Sequence, residues 1–200
     1  SKQAFLVTDT QAIEHVVRHW ALCRDTRQWE GLRRCYAPGA SVKTTWMVGS
    51  AEDFIAASIK GADNPHAPQS LHSIGARCIE VSGDKALAET RIVVMVRAFV
   101  TDIEVDITVW CRFFDRFVKY QGAWCIARRD PIHEKDRMDA IDPSVILQLD
   151  GNRLAKLPKA YRHITYVQSL NGAVITADLV QHNSPEQKLL YQQAQEWLRH

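Results

Sequence analysis

The sequence predicts an α+β fold in which N-terminal helices pack on a strongly curved antiparallel sheet and enclose a cavity. Three observations carry this. Helix-start signals, each followed by apolar residues at helical spacing, occupy the first 60 residues. Alternation of apolar and other side chains then fills long segments up to Arg129, separated by short turn signals. The longest segment puts Val105, Ile107, Val109, Cys111 and Phe113 on one face, and Asp106, Thr108, Trp110, Arg112 and Phe114 on the other.

The elements follow in order. Thr8-x-x-Gln11 has the form of a capping box, and Ile13, Val16, Val17 and Trp20 follow, so a helix is expected from about residue 9 to about residue 24. His15 and His19 stand four apart on its opposite side, without the glutamate of a zinc-protease motif, and read as solvent-facing. Asp25 ends the helix, where the macrodipole disfavours negative charge. Asp25-Thr26-Arg27-Gln28 is itself a capping-box pattern, so Asp25 is expected to cap a short helix running through Trp29 and Leu32 to Cys35. A catalytic role for Asp25 is compatible with that one.

Pro38-Gly39 breaks the helix, and Val42, Thr44, Trp46 and Val48 alternate as a strand. Ser50-x-x-Asp53 starts a third helix carrying Phe54, Ile55 and Ile59. The loop 61–69, rich in Gly, Asn and Pro, is long and polar enough to cover a cavity mouth. Leu71 to Val81 reads as a strand with His72, Ile74, Ala76 and Cys78 on one face, and Ala86 to Phe99 returns with Ala88, Thr90, Ile92, Val94 and Val96 together. After the Val105 strand, Gln121-Gly122 turns the chain into a strand from Ala123 to Arg129. The stretch Tyr161 to Leu170 fits a hairpin or a helix closed at Gly172, and Ser184-Pro185-Glu186-Gln187 opens a last helix striped with Leu190, Ala194, Trp197 and Leu198. The chain thus divides into a domain at 1–137 and an extension at 138–200.

The composition is that of a globular protein: 46% hydrophobic, 24% charged, formal net charge +2. Scattered Lys and Arg predict no nucleic-acid partner, and no apolar run is long enough to span a bilayer. The start, SKQAFLV, lacks a signal-peptide apolar region, which predicts a cytoplasmic location. Five cysteines without CxxC spacing read as buried reduced thiols. Neither a metal nor a cofactor is expected.

Three stretches carry a family resemblance: RDTRQWEGLRRCYAPGA at 24 to 40, SLHSIGA at 70 to 76, and DRFVKYQGAWCIARR at 115 to 129. Their order and spacing resemble the SnoaL-like group of the NTF2-like superfamily, which includes scytalone dehydratase, bile-acid dehydratases and hexachlorocyclohexane dehydrochlorinase. The resemblance implies a cone-shaped fold over about residues 9 to 137. It also implies a proton-moving pair, with an aspartate at the end of the first helix holding a histidine on a facing strand; Asp25 and His72 fall on those positions. A carboxylate accepting the imidazole Nδ1–H selects the tautomer and stabilises the imidazolium. Arg112 or Arg129 would steady the developing oxyanion. The groups that recognise substrate depart from the family. Two dehydratase tyrosines appear here as Arg24 and Thr44, a second histidine falls close to Arg97, and the dehydrochlorinase lysine corresponds to Trp20. With Trp46, Phe54, Trp110 and Phe114 these form the expected substrate-binding set, suited to a flat apolar molecule.

The reading is therefore a cofactor-independent lyase, dehydratase-like, or an isomerase. The alternatives are a non-catalytic small-molecule-binding protein and a small subunit of a ring-hydroxylating dioxygenase. A homo-oligomer, dimer or trimer, is expected because the outer face of a curved sheet must be covered. The extension is expected to pack on the cone, as a lid over the cavity, a clasp on a second subunit or a stabilising flap.

Overall fold

In the computed structural model, which describes residues 7–64 and 67–200, three helices lead into a seven-stranded sheet. Helix α1, Asp9–Asp25, starts in a capping box: the Thr8 hydroxyl accepts the Gln11 N–H, and the Gln11 side chain accepts the Thr8 N–H at 2.9 Å. Its stripe of Ile13, Val17 and Trp20 is buried. Helix α2, Trp29–Arg34, crosses α1 closely at Gly31, where a Cβ would come within 2.6 Å of Cys23 Sγ. The expected Asp25 cap does not form. Gln28 stands at the α2 N-cap without a side-chain bond, Arg27 turns the chain at φ +59°, and the Asp25 carboxylate is taken by another strand.

The single strand expected over 42–48 is two. Strand β1, Tyr36–Lys43, and β2, Val48–Ser50, form a hairpin whose turn is held by the Thr44 hydroxyl, which accepts the N–H groups of Trp46 and Met47. Helix α3, Ala51–Ala62, has the Ser50/Asp53 capping box. The loop expected to cover a mouth, 61–69, lies partly outside the described residues.

Four long strands follow: β3, Gln69–Ser82; β4, Lys85–Val100; β5, Ile103–Tyr120; and β6, Ala123–Ala140. They pair antiparallel in sequence order, and β1 joins the far side of β6 in parallel. Strand β6 runs eleven residues beyond its expected end, because Pro131 costs it no ladder bond. Pro131 falls between the last pairing with β1, at Arg129, and the first with β7 (Val180–Gln181), at Ile132. In β3 the register shifts between Ile74 and Arg77. The bulge reverses the faces beyond it, so Cys78, expected inside, is exposed, while Cys23, Cys35, Cys111 and Cys125 are buried.

The concave face carries two apolar clusters in line. One lies under α1–α3 and contains Ile92, Cys111, Phe113 and Phe117; the other contains Val96, Val105, Ile107 and Val109. The second is covered by the extension. There a short helix α4, Gly151–Ala155, and a tight turn at Lys159–Tyr161 lead into helix α5, Arg162–Leu170. The ambiguous stretch is therefore a helix. Asp136 on β6 accepts the N–H groups of His163 and Ile164 at 2.7 and 2.9 Å, capping α5 from the strand. Helix α6, Pro185–Arg199, lies on the opposite, convex face, with Leu190, Ala194 and Leu198 packed on Leu87, Phe114 and Ile132. The face expected to need a second subunit is thus covered in part by the chain's own tail. No helix among the described residues is long and apolar enough to cross a membrane.

Because α6 and the concave face lie on opposite sides of the sheet, they are expected to respond separately. Leu190→Ala should lower stability by about 2–4 kcal/mol, read by urea unfolding, and leave the NMR shifts of concave-face methyl groups unchanged.

Candidate active site

The end of α1 meets the start of β3 over the concave face. One Asp25 carboxylate oxygen accepts the His72 Nδ1–H at 2.6 Å, and the other accepts the His72 backbone N–H at 2.7 Å. A carboxylate only accepts, so Nδ1 carries the proton and Nε2 is left as the basic atom. The two side chains are 11% and 16% exposed, sheltered yet reachable. The His72 ring stands edge-on to Trp20, centroids 5.2 Å apart, and 6.3 Å from Phe113.

Arg129 borders the same space. Its guanidinium lies 4.2 Å from the Trp20 ring centroid and 4.0 Å from that of Phe113, the two rings that also touch His72. Register explains its direction: Arg129 pairs with Asp115 on β5, two residues from Phe113, so all three point inward. Asp115 holds Arg129 through two bonds, 2.7 and 2.8 Å, with both residues buried. Burial pushes the Asp115 carboxyl above its ordinary value and the Arg129 charge pulls it back. Nη1 of Arg129 is buried with no partner among the described residues.

The expected recognition residues separate into two groups. Trp20, Phe54 and Trp46 form one aromatic wall, Trp20–Phe54 at 6.4 Å and Trp46–Phe54 at 6.0 Å, and Arg24 lies over Phe54 at 5.8 Å. The Trp20 indole donates to the Tyr36 hydroxyl at 2.7 Å, and burial pushes that phenol up to about 12. Thr44 sits at the β1–β2 turn with its hydroxyl committed to backbone.

The other three, Arg97, Trp110 and Phe114, lie elsewhere, and so does Arg112, expected to steady the oxyanion. Arg112 is on the convex face, bonded to Glu89 at 2.6 Å, to Glu134, to Gln187 at 2.8 Å and to His182 at 3.2 Å. It follows that Arg112 does not reach the space beside His72. Phe114, from the same strand face, packs on Tyr191 at 5.3 Å, and Trp110 lies under Lys135. Arg97 is bound to Asp106 at 2.6 and 3.0 Å, exposed at the far end of β4 and β5. An open groove of about 330 Å³ on the convex side, lined by Glu80, Glu89, Phe114, Tyr191 and Gln195, is likewise separated from His72 by the sheet.

Two inward residues were not anticipated as site groups. Thr90 pairs with Phe113 and His133 with Cys111, which places both on the concave face. Thr90 Oγ1 and His133 Nδ1 are buried without partners among the described residues, as Arg129 Nη1 is. For His133 the signal was present in the sequence, two alternations beyond Arg129, but the strand was expected to stop there. The Tyr161 ring covers His133 at 4.6 Å, and Tyr161 donates its hydroxyl to the Thr176 carbonyl at 3.0 Å. Thr176 in turn donates its N–H to the Thr45 carbonyl at 2.9 Å, so the extension is tied to the β1–β2 turn.

Burial pushes His133 down from 6.5 to about 4. The folded state thus holds it neutral while the unfolded chain takes up a proton as pH falls through 6.5. Stability should drop across that window, by about 3 kcal/mol for the full gap. His133→Phe should unfold in urea with a shallower pH slope between pH 6.5 and pH 4 than the parent; equal slopes would assign the acid sensitivity to other groups.

Residues 6–130 match the family model described as SnoaL-like domain. Among curated relatives, Pea pathogenicity protein 2 of Fusarium vanettenii is 29% identical over 202 residues, covering 96% of this chain and 87% of that one. An uncharacterised protein of Emericella nidulans is 29% identical over 210 residues with the same coverage. Both alignments take in most of the extension. Among solved structures, a protein provisionally named a scytalone dehydratase from Novosphingobium aromaticivorans superposes with TM-score 0.55 at 19% identity, over 70% of this chain and 95% of that one. A hexachlorocyclohexane dehydrochlorinase, LinA type 2, superposes with TM-score 0.52 at 14% identity, over 71% and 94%. These structures share the fold.

Proposed function

The chain belongs to the SnoaL-like domain family, and from that premise we propose that it is a lyase or isomerase of a small, flat molecule, acting by proton transfer through His72. The Asp25–His72 contact is the observation that carries the reading. A carboxylate committed by two hydrogen bonds to one histidine leaves Nε2 as a base, with Trp20 and Phe113 beside it.

In this mechanism Nε2 takes a proton from a carbon next to a carbonyl, and the C–H electron pair moves into an enolate. The enolate oxygen is held by the unpartnered Nη1–H of Arg129, which stays charged and donates without giving up a proton. If a β-hydroxyl is present, the enolate pair expels it while the His72 imidazolium returns the proton, releasing water and an alkene. If none is present, the proton returns to another carbon of the same system and the product is an isomer.

A panel of flat β-hydroxy ketones tests this, assayed for loss of water and for exchange of the α-proton with solvent deuterium. Turnover in the parent that vanishes in His72→Ala supports the proposal. Saturable binding with neither elimination nor exchange makes the chain a binding protein and overturns it.

A further inference from the structure

We propose that Arg24 forms an anion subsite, so that the molecule bound in the cone carries a carboxylate, or an equally delocalised oxyanion, on a flat ring system. The proposal deepens the reading of this space as a small-molecule site, and it concerns recognition rather than proton transfer. Arg24 is half-buried, lies over Phe54 and makes no hydrogen bond or ion pair among the described residues. Its neighbour Asp25 turns both carboxylate oxygens to His72, and among the described residues it forms no hydrogen bond or ion pair with Arg24.

Other arginines at the concave face contrast with it. Arg129 has Asp115 at 2.7 Å, and Arg77 has Glu14 at 3.3 Å. A half-buried guanidinium without a hydrogen-bonded carboxylate loses hydration that a nearby charge offsets only in part. Burial accordingly lowers the Arg24 pKa, against the pull of Asp25. An anion from outside the chain would supply the missing partner. The guanidinium edge offers two parallel N–H donors, matching a carboxylate rather than a single point charge.

The ring system follows from the wall beneath. Phe54 carries Arg24 on its face and stacks within 17° of parallel with Trp20, whose ring leads on to His72. An anion at Arg24 therefore lies at one end of an aromatic wall and the base at the other. An aromatic acid spans that arrangement with its charge at Arg24 and its remaining carbons toward His72.

The test compares 2-naphthoate with its neutral amide, 2-naphthamide, by calorimetry on the full chain. The parent should bind the acid at least tenfold more tightly than the amide. Arg24→Gln should abolish that preference by weakening the acid at least tenfold more than the amide, and Arg24→Lys should restore part of it, since a lysine supplies charge without the paired donors. His72→Ala should keep the preference, which separates failure of the subsite from failure of the proton-transfer reading. Circular dichroism confirms folding, expected to survive because among the described residues Arg24 makes no hydrogen bond or ion pair for the variant to remove, only its contact with Phe54. Equal binding of acid and amide by the parent, a preference that persists in Arg24→Gln, or no saturable binding of the acid at millimolar concentration would each overturn the proposal.

Discussion

Asp115→Ala is expected to lower folding stability by about 3–5 kcal/mol, the cost of leaving a buried charge without its partner. Asp115 is fully buried and Arg129 is 2% exposed, so solvent cannot take over the role of the carboxylate. Nη1 of Arg129 already has no partner among the described residues, and the alanine would strand Nε and Nη2 as well. Replacing both residues by apolar ones, Asp115→Leu with Arg129→Met, should recover most of the loss, because the penalty belongs to the orphaned charge rather than to the missing bond. Urea unfolding of the parent and these variants measures it. A loss under about 1 kcal/mol in the single variant would mean that Arg129 finds another partner. The double variant would still lack the donor proposed for the enolate oxygen, so stability and activity should part company there.

His72→Ala is expected to lower kcat/KM by about 10²–10⁴-fold, the usual worth of a positioned general base. The loss should fall mainly in kcat, since the aromatic wall proposed to hold the substrate is untouched. Asp25→Asn should act through tautomer and orientation. An amide turned with its NH₂ toward Nδ1 would favour the tautomer with the proton on Nε2, where the base is needed. Both variants should be compared on the same substrate, with the fold checked by circular dichroism. Full activity in both would remove the pair from the mechanism, whatever the family.

Parts of this site were legible from short stretches of chain. Thr8, Ser50 and Ser184 announce helices because a cap is a contract between residues three apart. Gln121-Gly122 announces a hairpin because both residues adopt positive φ, +49° and +80°, in a two-residue turn. The pairing of Asp25 with His72 across 47 residues was reached through family resemblance, since local physics favoured a cap. That cap fails because Arg27 turns the chain away and β3 offers two better-placed donors.

By itself, then, the sequence determined the capped helices α1, α3 and α6, the existence of the long strands and, away from bulges, which residues of a strand share a face, all properties with a reach of a few residues. Only the tertiary structure decided which face looks inward. Trp110, Arg112 and Phe114 share a face by parity, and it is the convex one, under a tail some 70 residues later that buries Arg112 and Phe114. Arg129 faces inward, against the Trp20 and Phe113 rings, because a register shift between Arg116 and Phe117 aligns it with Asp115. Alternation yields the same pattern for either face, and a bulge reverses it at the cost of one residue. Which arginine turns inward is settled by cross-strand register and by what covers the sheet, and both depend on contacts distant in the chain.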